Sequence, residues 1–232
     1  MGRRFVIGDI HGCFRTLRIL VEQELRPSPE DHIFFLGDYI DRGPNSKAVI
    51  DYIFSLHSTS GHVVPLMGNH EYMLNRALNS LEYFNLWMIN SGFTTLKDFG
   101  VIPGSHYSTK SLLQIPQEYL KFFRDLKMYA QTEGFFLCHG CFEGNRDEPK
   151  GNTDSMIWGR KNLEQAPRIG DRILIHGHTP NPVSEIRKQI DDPISRVINL
   201  DAGCVYKENK SLGHLAALDL DSMELFIVKN SD

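Results

Sequence analysis

Three short apolar runs near the start of the chain each pass directly into a glycine-flanked turn of polar residues. That pairing restricts the chain to few architectures. Phe5-Val6-Ile7 leads into Gly8-Asp9-Ile10-His11-Gly12, and Ile33-Phe34-Phe35-Leu36 into Gly37-Asp38-Tyr39-Ile40-Asp41-Arg42-Gly43. Val63-Val64-Pro65-Leu66-Met67 leads into Gly68-Asn69-His70-Glu71. An apolar run of this length reads as a buried strand. A buried strand ending in a glycine-rich turn delivers side chains to the carboxyl edge of a sheet, where open α/β proteins place their sites. Between these runs, apolar residues at 17, 20, 21 and 25, and at 49, 50, 53, 54 and 56, recur at helical spacing. The first 70 residues therefore predict β-α-β-α-β.

The middle of the chain changes character. Apolar residues from Tyr72 to Met88 predict helices, a Gly/Ser/Thr-rich turn follows at 90–95, and residues 116–130 predict a further helix with Pro116 at its start. Residues 71–130 are expected to form a helical cap beside the site, with most of the aromatic residues packing the core. Short apolar runs return at 134–138, 172–175, 197–201, 215–220 and 225–228. Late antiparallel strands after an early β-α-β half predict two packed mixed sheets with helices outside. There is no internal repeat or linker. At 232 residues and 41% hydrophobic content, the chain is expected to be one α/β domain over 1–232.

Charge and cysteine usage exclude some function classes. The net charge of -4 gives no support to nucleic-acid binding. No apolar stretch approaches the roughly 20 residues that span a bilayer, and no apolar secretory segment precedes the first strand. No membrane partner and a cytoplasmic location are expected. Cys13, Cys138, Cys141 and Cys204 do not form a secreted disulfide framework. Cys138 and Cys141 match C-x-x-C, but with no second such pair the reading is buried free thiols.

The polar residues of the turns define a ligand set. Asp9 and His11 are two residues apart, so an extended backbone turns both the same way. Asp38 brings a second carboxylate able to bridge two cations, and Asn69 an amide oxygen. His139 and His178 end later strands. Oxygen and nitrogen donors without thiolate suit manganese, iron or zinc at an open site rather than a closed structural zinc. Two ions about 3.5–4 Å apart would share Asp38 and make hydroxide available near neutral pH. Arg42 can donate two parallel hydrogen bonds to phosphate oxygens, and the glycines are expected to let a phosphate approach the backbone.

Taken together, G-D-x-H-G, G-D-x-x-D-R-G and G-N-H-E followed by two later histidines resemble the phosphoprotein phosphatase branch of the calcineurin-like metallophosphoesterases, from Phe5 to about Leu220. The resemblance implies a four-layer αββα sandwich of two mixed sheets flanked by helices. It implies two divalent metals, manganese first with iron or zinc as alternatives. Asp9, His11 and Asp38 would bind one; Asp38, Asn69, His139 and His178 would bind the other. By the same resemblance His70 is the general acid, Asp41 orients it, and Arg42 and Arg160 bind phosphate. The implied reaction is in-line attack of metal-bound hydroxide on a phosphomonoester, with phosphoserine or phosphothreonine proteins or a small phosphoester as substrate.

Within this branch, bis(5'-nucleosyl)-tetraphosphatase-like hydrolases are the alternative. They tend to lose the aspartate found here as Asp41, which favours the phosphoprotein reading. Residues 199–206 resemble the D-T-G-C-V segment of bacterial members with Ala202 in place of threonine, and Cys141 departs from the family's usual small residue. Any one motif occurs by chance in structural turns; the ordered set does not. His176 is assigned a supporting place behind His178, and Glu71 the task of holding its turn, with no catalytic role.

Overall fold

The computed structural model describes residues 2–60, 62–102, 106–142, 153–160 and 170–232. Strands β1 (Arg4–Ile7), β2 (His32–Phe35) and β3 (Val63–Pro65) alternate with α1 (Phe14–Ile19) and α2 (Ser46–Ser60). Helix α1 runs on into a π-helical stretch, Leu20–Leu25. The cap follows: α3 (Asn69–Ala77), α4 (Leu81–Ile89), α5 (Gly92–Asp98), a 3-10 turn at Thr109–Gln114 and α6 (Gln117–Asp125). The second half holds β4 (Tyr129–Thr132), β5 (Phe135–Cys138), α7 (Thr153–Trp158), β6 (Ile173–His176), α8 (Val183–Asp191), β7 (Val197–Asn199), β8 (His214–Asp219) and β9 (Leu225–Lys229).

These strands form the two mixed sheets expected, a five-stranded one in the order β3-β2-β1-β8-β9 and a four-stranded one in the order β4-β5-β6-β7. Strands β1, β2 and β3 pair in parallel, and so do β5, β6 and β7. Strand β8 returns antiparallel beside β1. Parallel pairing puts the carboxyl ends of neighbouring strands on one edge, so the turns after β1, β2, β3, β5 and β6 emerge together.

Alternation along each strand explains why the runs read as continuously apolar: both faces are buried. Phe5 and Ile7 of β1 face the core under the helices, with Leu17, Ile50 and Phe123. Val6 between them faces Leu137, Ile175 and Ile198 of the other sheet. On β5, Phe135 and Leu137 join this inter-sheet core, while Phe136 and Cys138 turn outward to Phe142 and Met156. Each such side chain contributes about 1.5–3 kcal/mol on burial. All four cysteines are buried free thiols. No described helix is long and apolar enough to cross a membrane.

Two sequence expectations fail in the cap. The helix expected over 116–130 stops at Asp125, and Tyr129 begins β4, which pairs antiparallel with β5. The Lys127 carbonyl accepts a hydrogen bond from Met67 N (2.8 Å), so pairing with the β3 loop overrides local helical preference. The turn expected at 90–95 is tighter: Ser91 takes φ 75° and α5 starts at Gly92. Gly92 is required there, because a Cβ would overlap the Trp87 ring.

The entrance to β1 is held by a buried carboxylate. Asp31 accepts from Arg3 N (2.7 Å), Arg3 Nη2 (2.8 Å) and Ser28 N (2.8 Å). Burial pushes the Asp31 carboxyl up, but the Ser28 and Arg3 hydrogen bonds outweigh it, and its pKa falls below the ordinary value. Its contribution is therefore complete above the unfolded value near pH 4 and fades as pH falls further. Asp31→Asn is expected to lower stability by about 1–2 kcal/mol at pH 7. The gap to wild type in urea unfolding should shrink below about pH 4; a gap constant down to pH 3 would show that the charge is not what matters.

Candidate active site

The converging strand ends bring a compact polar centre together. His11, Asp38 and His70 present ligand atoms all within 4.8 Å of one another, and so do Asp38, His139 and His178. Asp38 belongs to both groups. Its Oδ2 lies 3.4 Å from His11 Nε2 and its Oδ1 3.4 Å from His139 Nε2. A single carboxylate thus faces two imidazoles from its two oxygens, as the bridging reading requires.

The tautomers sharpen this. His11 Nδ1 lies 2.9 Å from the Ile40 carbonyl and His139 Nδ1 3.1 Å from the Leu36 carbonyl. A carbonyl accepts only, so both Nδ1 atoms carry the proton. Burial first, then Arg42, lowers the His11 pKa well below its ordinary value, and burial lowers that of His139. Both rings are therefore neutral and turn an Nε2 lone pair toward a carboxylate. Burial also pushes the Asp38 carboxyl up, but its neighbours more than offset it and its pKa falls below the ordinary value, Arg42 and His70 being those that carry charge once His11 and His139 are neutral. Lone pairs confronting an anion across 3.4 Å call for a cation between them. The Nδ1–H bonds to backbone carbonyls are the support that metal-binding histidines use.

Asn69, at the start of α3, completes the second group: its Oδ1 lies 3.0 Å from both His139 Nε2 and His178 Nδ1. Burial first, then His139, pushes the His178 imidazole down to about 3, and Arg160 adds to this. Arg160 is exposed just after α7, within electrostatic reach of His178. Asp9 stands outside both three-residue groups. Its Oδ2 accepts from His178 N (3.0 Å), while its Oδ1 is buried with no hydrogen bond.

Asp201, unassigned in the sequence, stands beside Asp9. Burial and then Asp38 push it up to about 7 against a hydrogen bond from Gly203 N (2.8 Å). Burial, Asp201 and Asp38 likewise raise Asp9. Excess buried carboxylate beside neutral imidazoles fits a pair of divalent cations. The donor set is oxygen and nitrogen, and among the described residues no cysteine belongs to it.

Arg42 donates from Nη1 to His11 Nε2 (2.6 Å), and its guanidinium lies 5.7 Å from the centre of the Tyr206 ring. It must leave His11 for that lone pair to hold a cation. His176, the last residue of β6, is buried and belongs to neither group; its Nδ1 lies 3.0 Å from the Gly177 carbonyl. Two-residue alternation does not carry over from it, because His178 takes φ 71°. Cys141 is buried beside Cys138 and Met156, its N–H bonded to the Gly159 carbonyl (2.8 Å). It packs the core rather than forming a rim.

His70 is held as an oriented acid needs to be. Its Nδ1 lies 2.6 Å from Asp41 Oδ2, and its buried Nε2, without a hydrogen bond, is 4.0 Å from Asp38 Oδ2. Burial lowers its pKa, but Asp38 and the Asp41 hydrogen bond outweigh this and the net shift is upward. Asp41 is in turn fixed from the cap, where Trp87 Nε1 donates to Oδ2 (2.8 Å) and Thr95 Oγ1 to Oδ1 (2.5 Å). Sequence reasoning missed both residues. Trp87 sits in an apolar helical pattern and Thr95 in what reads as a turn, and neither lies in a motif.

Glu71 does hold its turn, and more widely than expected. Its carboxylate accepts from Asp38 N (2.9 Å), Tyr39 N (2.9 Å), Ile40 N (3.3 Å) and Gly68 N (3.1 Å). A Cβ at Gly68 would collide with Asp38 Oδ1 and Glu71 Oε2. That glycine makes room for protein carboxylates, whereas the sequence suggested room for phosphate. His11, Asp38, Asp41, Arg42 and His178 all have left-handed backbone, with φ between 47° and 71°.

The profile of the calcineurin-like phosphoesterase family matches residues 2–203. The asymmetrical bis(5'-nucleosyl)-tetraphosphatase PrpE of Anoxybacillus flavithermus is 27% identical, the match covering 97% of this chain and 94% of that protein. The protein of the same name from Geobacillus thermodenitrificans is 26% identical with the same coverage. Among solved structures, a protein serine/threonine phosphatase from Saccharomyces cerevisiae superposes with a TM-score of 0.64 at 15% identity. That match covers the whole of this chain and 80% of the yeast one.

Two measurements probe this geometry. Manganese is expected to raise the unfolding midpoint in a concentration-dependent way, the stability gain reaching about 2.7 kcal/mol at a hundredfold excess over Kd. Asp38→Asn should remove most of that dependence; undiminished stabilisation would take Asp38 out of the metal site. Trp87→Phe keeps the ring but loses its N–H, and should cost about 2 kcal/mol in urea unfolding. In an Asp41→Asn background the cost should be clearly smaller, whereas an equal cost in both would mean the N–H to Asp41 contributes nothing.

Proposed function

Because the chain belongs to the calcineurin-like phosphoesterases, we propose that its phosphoester hydrolysis is directed at phosphomonoesters with alkoxide leaving groups, foremost phosphoserine and phosphothreonine in proteins. The observation that carries this is the His70–Asp41 contact of 2.6 Å, buried and braced from the cap by Trp87 and Thr95. A serine alkoxide is a very poor leaving group and needs a proton as it departs. A polyphosphate leaves as a stable anion and depends on a proton far less.

In this reading Asp9, His11 and Asp38 hold one divalent cation, and Asp38, Asn69, His139 and His178 the other, with manganese, iron or zinc all compatible with the donors. Such cations lower the pKa of bound water toward neutrality and offset phosphate charge. The chain's own residues do the rest. Arg42, released from His11, turns its fork to two phosphate oxygens, and Arg160 approaches from beyond His178. His70 keeps its Nδ1 proton on Asp41 and passes the proton on Nε2 to the leaving oxygen. No side chain is needed as a nucleophile.

A second reading, hydrolysis of dinucleoside tetraphosphates, is favoured by the nearly full-length relatives that carry that name. The two readings differ in leaving group, and His70→Asn separates them. With manganese, a phosphoserine peptide should be hydrolysed faster than diadenosine tetraphosphate. His70→Asn should lower kcat on the peptide about 10²–10³-fold, and much less on p-nitrophenyl phosphate. Rapid tetraphosphate turnover with negligible peptide hydrolysis would establish the second reading. Equal losses on both monoesters would remove His70 as the acid.

A further inference from the structure

A cavity of about 600 Å³ opens beside Arg42, lined also by Phe93, Thr94, Lys97, Asp98, Lys207 and Asp232. This size falls within the roughly 300–1,000 Å³ of small-molecule sites. None of the metal-ligand candidates lines it. Arg42 alone belongs both to this wall and to the centre described above.

The charges around it are unevenly committed. Asp98 Oδ2 accepts from Lys47 N (2.6 Å). The Asp232 carboxylate accepts from Arg15 N (3.0 Å), Thr16 N (3.0 Å) and Thr16 Oγ1 (2.8 Å). Both acids are thus turned to protein donors. Lys97 is not matched in this way. Lys97, in the last turn of α5, has no ion pair among the described residues. Lysines on other helices do: Lys47 with Asp51 (2.7 Å) and Lys188 with Glu185 (2.6 Å). Lys207 Nζ donates to a main-chain carboxylate oxygen of Asp232 (2.7 Å), and an ammonium has two further donors to offer. Phe93 is 47% exposed and offers a bare ring in the same wall.

We propose that this cavity is a second phosphate subsite, in which Lys97 and Lys207 take an anionic phosphate carried by the substrate beyond the one being cleaved, with Arg42 spanning the two. The proposal rests on the phosphoester reading above. The second phosphate can come from a polyphosphate chain or from a second phosphoserine next to the first, and the arms of the test distinguish these sources.

The test compares kcat/KM for the manganese-loaded wild type, Lys97→Gln, Lys97→Glu and Lys207→Gln. The substrates are p-nitrophenyl phosphate, a peptide with two adjacent phosphoserines, and diadenosine tetraphosphate. The readout is the ratio of kcat/KM on a multiphosphate substrate to that on p-nitrophenyl phosphate. Lys97→Gln should lower this ratio about fivefold, Lys97→Glu further, chiefly through KM, and added salt should shrink the difference. A fall confined to diadenosine tetraphosphate identifies a polyphosphate as the source, and one confined to the peptide identifies a second phosphoresidue; either supports the subsite. A ratio unmoved by both Lys97→Glu and Lys207→Gln overturns it. If the wild type turns over none of the three, the phosphoester reading itself fails. The subsite is then judged by calorimetry with inorganic triphosphate: weaker binding to Lys97→Glu supports it, and equal binding overturns it.

Discussion

A buried carboxylate that meets no water must find its hydrogen bonds in the chain, and Glu71 finds four in backbone N–H groups. Three come from consecutive residues of the loop after β2, and the fourth from the loop after β3. Leaving such a buried carboxyl group unsatisfied costs more than an ordinary hydrogen bond contributes, so the loops close around it. Asp38 is the first of the three residues, and its side chain is the one shared by both imidazole groups. The position of the shared carboxylate is thus set by a neighbour that presents no ligand itself.

The cap plays a comparable part for Asp41. Trp87 and Thr95 come from different helices, and both reach the same carboxylate. The buried face of the cap is therefore part of the machinery around His70, while Phe93 on α5 lines the cavity beside Arg42. One helical pair thus reaches both sides of the site, and part of the stretch 90–95, where composition suggests a turn, is helical from Gly92 onward.

Much of this was legible in the sequence because its causes are local. Buried strands give continuous apolar runs, and their glycine turns carry the donors, so β1, β2, β3, β5 and β6 and the ligand candidates after them could be read directly. The sharing of Asp38 between two positions follows from its place in the middle turn. What could not be read depends on distant parts of the chain. The end of α6 at Asp125 is imposed by pairing between Lys127 and Met67. Asp201 gains meaning only where β7 brings it beside Asp9. The separation of His176 from His178 depends on a left-handed residue that alternation does not anticipate.

Left-handed backbone at His11, Asp38, Asp41, Arg42 and His178 has a consequence beyond local geometry. Each such residue costs about 1 kcal/mol, and five together approach the lower end of a typical fold's whole stability, about 5 kcal/mol. Glycine or asparagine would fit several of these positions with less strain. Under selection for persistence alone, these positions would drift toward such residues and the fold would become sturdier as it lost these polar side chains. The centre therefore stands against the direction in which the scaffold would relax.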